Sequence, residues 1–199
     1  MEEIIRLQDS LQKQADELLN STSVLTLLKK LGEPVQTGSS TTGLMVYPDV
    51  DFAVQAKNPR VQDAINLVSA IFSQLSATTC KIADFRDNRM ESASYFIGFE
   101  IPYAGRSWKI SATVGQPGSI TTNPPELSEW MENMTEPQRE AILKLKKELI
   151  DTKRYAGAKA QPPYTFRSVH LYEAVFKAGA TTVQDLEAYF SRPDYPLPA

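Results

Sequence analysis

Two aspartates one residue apart open the chemistry of this chain. In Asp49-Val50-Asp51-Phe52 the carboxylates alternate with apolar residues. On a strand, positions i and i+2 point to the same face, so Asp49 and Asp51 stand side by side. Two such carboxylates repel unless a cation lies between them, and hard divalent ions such as Mg2+ or Mn2+ take oxygen ligands of this kind. Upstream, Thr37-Gly38-Ser39-Ser40 ends a short extended run, and nine residues separate Ser39 from Asp49. Gly38 lets the backbone approach a phosphate closely. Ser39 and Ser40 offer hydroxyl and amide donors at the start of a short helix, whose dipole favours an anion. A phosphate cradle beside a carboxylate pair is what a magnesium–nucleoside triphosphate needs. Taken singly, Asp49 and Asp51 after Pro48 would be a solvated strand start, and Ser39–Thr42 a polar loop.

Two other glycine motifs do not apply. Gly38 and Gly43 have the spacing of a P-loop, but Leu44-Met45 stands where Lys-Ser/Thr is required. There is no Gly-x-Gly-x-x-Gly, so a dinucleotide fold has no support.

The elements that must position these residues follow from periodicity. Ile4, Ile5, Leu7, Leu11, Ala15, Leu18 and Leu19 recur at helical spacing over residues 3–19. A second helix is expected over Val24–Leu31, with Ser21 or Thr22 as its cap and Gly32 beyond its end. Strands are expected at Val35–Thr37, Val50–Val54, Lys81–Arg86, Tyr95–Ile101 and Trp108–Val114. Val61–Leu75 reads as a helix, capped by Asn58 with Pro59 in its first turn. Tyr103-Ala104-Gly105-Arg106 reads as a hairpin turn. Beyond Gln116 four helical patterns follow: Glu126–Asn133, Glu136–Lys153, Phe166–Lys177 and Val183–Phe190. Thr135 with Pro137 starts the second, Thr182 with Asp185 the last. The expected fold is α/β, or α+β in a stricter scheme: a small mixed sheet flanked by helices. Residues 1–116 form the core with its N-terminal helices, and residues 117–199 form a C-terminal helical segment.

The 199 residues suit one ordinary core with a helical annex. No apolar run is long enough for a membrane span, and the acidic, amphipathic N-terminus is unlike a secretory signal. One cysteine, Cys80, and one histidine, His170, exclude an intrachain disulfide and a Cys/His zinc site, and point to the cytoplasm. A net charge of −3 does not advertise a broad nucleic-acid surface. Lys144, Lys146, Lys147, Lys153, Arg154 and Lys159 form a basic stretch broken by Glu148 and Asp151. Its default is a solvated helix face, with an RNA-binding ridge as the alternative.

Gly38-Ser39, nine residues, then Asp49-Val50-Asp51-Phe52 resembles the signature of the DNA polymerase β-like nucleotidyltransferase superfamily. The resemblance covers roughly residues 24–115. The chain also looks like a bacterial group of small members with a Trp-Lys-Ile-Asp strand and a C-terminal Tyr-Glu-Ala-Val helix. The resemblance implies transfer of a nucleoside monophosphate from a magnesium–nucleoside triphosphate to an acceptor hydroxyl. It gives Asp49 and Asp51 the metal, and Ser39 the distal phosphates. The acceptor is open: a small molecule such as an aminoglycoside, an RNA end and a protein hydroxyl are all compatible.

One position departs from the pattern. The third carboxylate of the group would fall in Trp-Lys-Ile-Asp, and here the strand reads Trp108-Lys109-Ile110-Ser111. A serine is neither a carboxylate nor a good general base. If Ala104-Gly105 is a two-residue turn, Gly98 opposes Ser111 and Glu100 opposes Lys109, which makes Glu100 a diagonal neighbour of Ser111. Glu100 is therefore the candidate for the missing carboxylate, or else the cross-strand partner of Lys109. Lys109 itself would contact a phosphate or pair with Glu100. Loss of the third carboxylate also allows a degenerate, non-catalytic nucleotide-binding protein or an interaction domain. His170 reads as a solvent-facing or packing residue, and Tyr172, Cys80, Trp108 and Trp130 read as packing residues; Tyr172, with Arg167, could otherwise reach the nucleotide.

Overall fold

The computed structural model describes residues 2–85, 95–120 and 125–195. The chain divides into two compact units, Gln8–Pro124 on one side and Pro125–Ala199 with Met1–Leu7 on the other.

The first unit is built on one five-stranded sheet. Its strands are β1 (Glu33–Thr37), β2 (Asp49–Gln55), β3 (Thr79–Asp84), β4 (Tyr95–Tyr103) and β5 (Arg106–Gly115). Their order across the sheet is β1-β2-β5-β4-β3. β2 and β5 run parallel, and every other pair is antiparallel. The fold is thus the mixed sheet flanked by helices that the sequence leads one to expect. β2 is buried along most of its length, which explains its nearly unbroken apolar run. Alternation decides the faces. Val50, Phe52 and Val54 of β2, Trp108, Ile110 and Val114 of β5, and Tyr95, Ile97 and Phe99 of β4 are all at most 3% exposed. The opposite face carries the polar residues.

Helix α1 (Glu2–Ser21) buries Leu11, Ala15 and Leu18, as its heptad-like spacing dictates. α2 (Val24–Leu28) is shorter than expected. Its cap is Ser23 rather than Ser21 or Thr22, because the Thr22 hydroxyl donates back to Leu18 O at 2.7 Å. α3 (Ser39–Thr42) is a single turn between Gly38 and Gly43. α4 (Val61–Leu75) packs on α2, β3 and β4 through Leu67, Ile71 and Leu75. Asn58 is not its cap. Extended Arg60 is, and its guanidinium pairs with Asp63 at 2.7 Å in the first turn, which supplies the acidic end another way.

The other unit holds α5 (Pro125–Glu132), α6 (Glu136–Asp151), a 3₁₀ turn (Gly157–Lys159), α7 (Ser168–Ala178) and α8 (Val183–Phe190). Thr135 and Gln138 form a capping box on α6, as Thr182 and Asp185 do on α8. Arg154 ties the segment before α7: it donates to Tyr164 O at 2.8 Å and Pro163 O at 3.0 Å, and pairs with Glu187 at 2.7 Å. Trp130 stacks on Phe176, and Tyr172 is 4% exposed, so both are packing residues. Among the described residues no helix is long and apolar enough to cross a membrane.

Candidate functional site

The site grows from β1, α3 and β2. β1 lies antiparallel to β2 with Thr37 opposite Asp51. The chain then turns at Gly38, with φ 73° and ψ −158°. That backbone region belongs to glycine. A Cβ built there would lie 2.7 Å from Asp51 Oδ2, so Gly38 brings backbone hard against the second aspartate. The one-turn α3 follows and packs on both β1 and β2.

Ser40 is structural. Its hydroxyl accepts from Gln36 Nε2 at 3.0 Å and donates to Thr37 O at 3.3 Å, while its carbonyl accepts from Gln12 Nε2 at 2.9 Å. These bonds fix α3 to β1 and to α1. Ser39 is 8% exposed, and among the described residues its hydroxyl makes no hydrogen bond, which leaves it the one with donor capacity to spare.

Asp49 and Asp51 lie on the same face of β2. Parallel pairing puts Lys109 level with Asp49 and Ser111 level with Asp51. Asp49 is 4% exposed; its Oδ2 accepts from Lys109 Nζ at 3.3 Å, and its Oδ1 is buried without a partner. Ser111 is 5% exposed, and its Oγ is also buried without a partner. Orphaned buried oxygens are costly in a finished core. Two of them on one face beside a second carboxylate fit a group that supplies positive charge and open coordination positions. Among the described residues no three acidic, histidine or cysteine side chains gather into a metal cluster.

The hairpin has the register that the two-residue turn demands. Gly98 opposes Ser111, Glu100 opposes Lys109, and Tyr103 opposes Arg106. Glu100 therefore shares the face of Asp49, with β5 between them. Its carboxylate accepts from Ser107 Oγ at 3.1 Å, and the ammonium opposite it turns to Asp49. The cross-strand pair between Glu100 and Lys109 is thus replaced by a pair across the parallel ladder. Phe96 covers Gly98: a Cβ at that position would lie 2.7 Å from its ring.

No protein-family model and no curated protein sequence matches this chain. Five solved chains resemble it, among them the following two. One is the non-canonical poly(A) polymerase complex GLD-2–GLD-3, at 15% identity and TM-score 0.57 over 92% of this chain and 60% of that one. The second is a cytoplasmic RNA terminal U-transferase, at 16% identity and TM-score 0.53 over 88% and 53%. The fold is nucleotidyltransferase-like. This chain spans only about three-fifths and one-half of those two chains. Within the nucleotidyltransferase-like fold, residue reasoning missed Gln12 and Gln36, which anchor Ser40. Gln8, 2% exposed on the same helix as Gln12, is a buried polar residue that an amphipathic pattern does not ask for.

Proposed function

We propose that this chain binds a magnesium–nucleoside triphosphate and transfers its nucleoside monophosphate to an acceptor hydroxyl, with release of pyrophosphate. The supporting observation is the buried Asp49, with an orphaned oxygen, beside Asp51 and a glycine that admits no side chain. Asp49 and Asp51 would hold the ion, Mg2+ or Mn2+, which when bound neutralises charge developing on the phosphate oxygens. Gly38 leaves room for the triphosphate, and the Ser39 hydroxyl donates to its distal phosphates. Glu100, on the same face, is the carboxylate assigned to take the acceptor's proton. The acceptor is a small molecule, an RNA end or a protein hydroxyl. Residues 8–124 carry these groups, and the helical residues 125–195 are assigned an annex role.

Thermal unfolding with each nucleoside triphosphate, with and without magnesium, tests the binding step. A ligand at a hundredfold excess over its dissociation constant stabilises the folded state by about 2.7 kcal/mol. A magnesium-dependent shift that disappears in Asp49→Asn/Asp51→Asn is expected. No shift with any nucleotide would end this reading. A Glu100→Gln variant with full activity would remove Glu100 from the reaction.

A second reading, nucleotide binding without turnover, is favoured by Ser111 standing level with Asp51 where a carboxylate belongs. Pyrophosphate release measured before and after Ser111→Asp separates the two. Release only in the variant assigns the natural chain to the non-catalytic reading.

A further inference from the structure

The carboxylate assigned as base already holds a hydroxyl. Ser107 Oγ donates to Glu100 Oε2 at 3.1 Å, within the range at which a nucleophile and its base meet. Ser107 shares a face of β5 with Lys109 and Ser111, because residues two apart on a strand point the same way. Lys109 is level with Asp49, where β2 begins, so Ser107 lies one pleat further along β5 towards the hairpin. Strand geometry puts its Cα about 8 Å from that of Asp49. The phosphate cradle is at the same end of the sheet: Thr37, the last residue of β1, is opposite Asp51, and the chain turns at Gly38 just beyond. The hairpin holds Ser107 in place. Ala104 and Gly105 close a two-residue turn, Tyr103 Oη lies 3.2 Å from Ser21 Oγ, and Glu100 O accepts from Thr78 N at 2.8 Å.

The other hydroxyls around the aspartates lack this arrangement. Ser40 Oγ donates to Thr37 O, a backbone carbonyl that takes no proton. Ser111 Oγ is buried without a partner. Among the described residues the Ser39 hydroxyl makes no hydrogen bond, so it too has no base. Ser107 is exposed as well as paired, so a phosphate can approach it.

We propose that Ser107 is itself an acceptor of this transferase, and that the chain nucleotidylates its own hairpin. The inference rests on the nucleotidyl-transfer reading above and names an acceptor for it. In this step the bond from Ser107 Oγ to the α-phosphorus of the nucleoside triphosphate forms. The bond from that phosphorus to the α,β-bridging oxygen breaks, and pyrophosphate leaves. The hydroxyl proton passes to Glu100. An acceptor carried on the same chain needs no second association step, so it has the advantage of proximity over a hydroxyl compound free in solution. The reaction consumes its own acceptor and stops at one nucleotide per chain.

The test is mass spectrometry of the intact full chain after incubation with magnesium and each nucleoside triphosphate in turn. Peptide mapping locates the added group, and the thermal shift with the same nucleotides is read alongside. The natural chain is expected to gain one nucleoside monophosphate, on Ser107, at a rate per chain that does not change with protein concentration. Ser107→Ala should lose the label and keep the magnesium–nucleotide shift. Glu100→Gln should keep the shift and label about a hundredfold more slowly. Circular dichroism establishes that each variant is folded before it is scored. A label on another residue, a rate per chain that rises with protein concentration, full-rate labelling of Glu100→Gln, or a nucleotide shift with no label on the natural chain would each overturn the inference and leave nucleotide binding standing. Neither label nor shift would overturn both.

Discussion

At the scale of single residues, Gly38 makes the sharpest demand. Its φ of 73° and ψ of −158° lie where other residues pay about 1–3 kcal/mol of strain. A methyl at 2.7 Å from Asp51 Oδ2 must also push that carboxylate aside. Gly38→Ala is therefore expected to lower the melting temperature and to abolish the magnesium–nucleotide shift together. A variant that melts lower but keeps the full shift would separate the glycine from the site. Ser111→Asp tests the neighbouring position in the opposite way. It buries a new carboxylate level with Asp51, so the metal-free protein should lose about 2 kcal/mol, and magnesium should restore part of that loss. Ser111 stood out only against the Trp-Lys-Ile-Asp strand of the resemblance. The aspartate pair and the glycine were legible because each effect is local: an i, i+2 spacing on one strand, or a missing Cβ beside it. The partner of Lys109 was not. Its hairpin neighbour Glu100 is nine positions away, but Asp49 is sixty positions away and adjoins it only through a parallel pairing that no local pattern encodes.

Elements were legible where periodicity was long or a turn had a single solution. Val61–Leu75 and Val183–Phe190 stand as expected. The register of β4 against β5 follows from Ala104-Gly105, both at positive φ (49° and 75°), the type I′ geometry of a two-residue hairpin. Boundaries set by caps were harder, because Ser21, Thr22 and Ser23 are chemically equivalent in sequence and only the backbone decides which one turns. The 3₁₀ turn at Gly157–Lys159 and the clasp of Arg154 have no periodicity to read. Ala104 in the left-handed region is a correctable cost. Ala104→Asn should stabilise the protein by about 0.5–1 kcal/mol and leave nucleotide binding unchanged, as chemical denaturation and the thermal shift will show. The α7–α8 pair offers a pH test. His170 lies edge-on to Phe166 and Phe190, and its Nδ1 accepts from Arg167 N at 3.3 Å. Burial, and then the charge of Arg167, bring its pKa down to about 4 from 6.5. Between those values the unfolded chain binds the proton and the folded chain does not, so this contribution is complete above pH 6.5 and is lost as pH falls towards 4. Asp185, held below its usual range by the Thr181 backbone N–H and then by Thr182, loses stability in acid in the same sense. The comparison with His170→Gln isolates the histidine. The natural chain should lose about 1–2 kcal/mol more between pH 7 and pH 4, a figure already reduced for partial solvent screening. Equal acid slopes would show that His170 is not held neutral.

For the whole molecule the question is whether a polyanion such as RNA is the acceptor. RNA is one of the three acceptor classes proposed for this site. The charge of this chain argues against it. Its 24 carboxylates outnumber its 21 lysines and arginines. The basic stretch of residues 144–159 is largely spent within its own helical unit: Lys144 pairs with Glu140, Lys147 with Asp151 at 2.6 Å, and Arg154 with Glu187 at 2.7 Å. Lys146 is 1% exposed, over the Tyr155 ring. Of that stretch Lys153 and Lys159 are left to meet a phosphate backbone. Each phosphate neutralised on a single strand contributes a slope of about −0.7 in log affinity against log salt, so this surface supports a slope no steeper than about −2. A single-stranded oligonucleotide titrated from 50 to 200 mM salt should therefore bind weakly and lose little affinity across the series. Under the same conditions the magnesium–nucleotide shift should persist, because Asp49 is buried and is screened less than an exposed charge. A slope near −5 with tight binding would mean that an RNA strand meets a basic surface outside this stretch, and RNA would then stand as the acceptor; a flat response leaves the small hydroxyl compounds and protein hydroxyls to be tried.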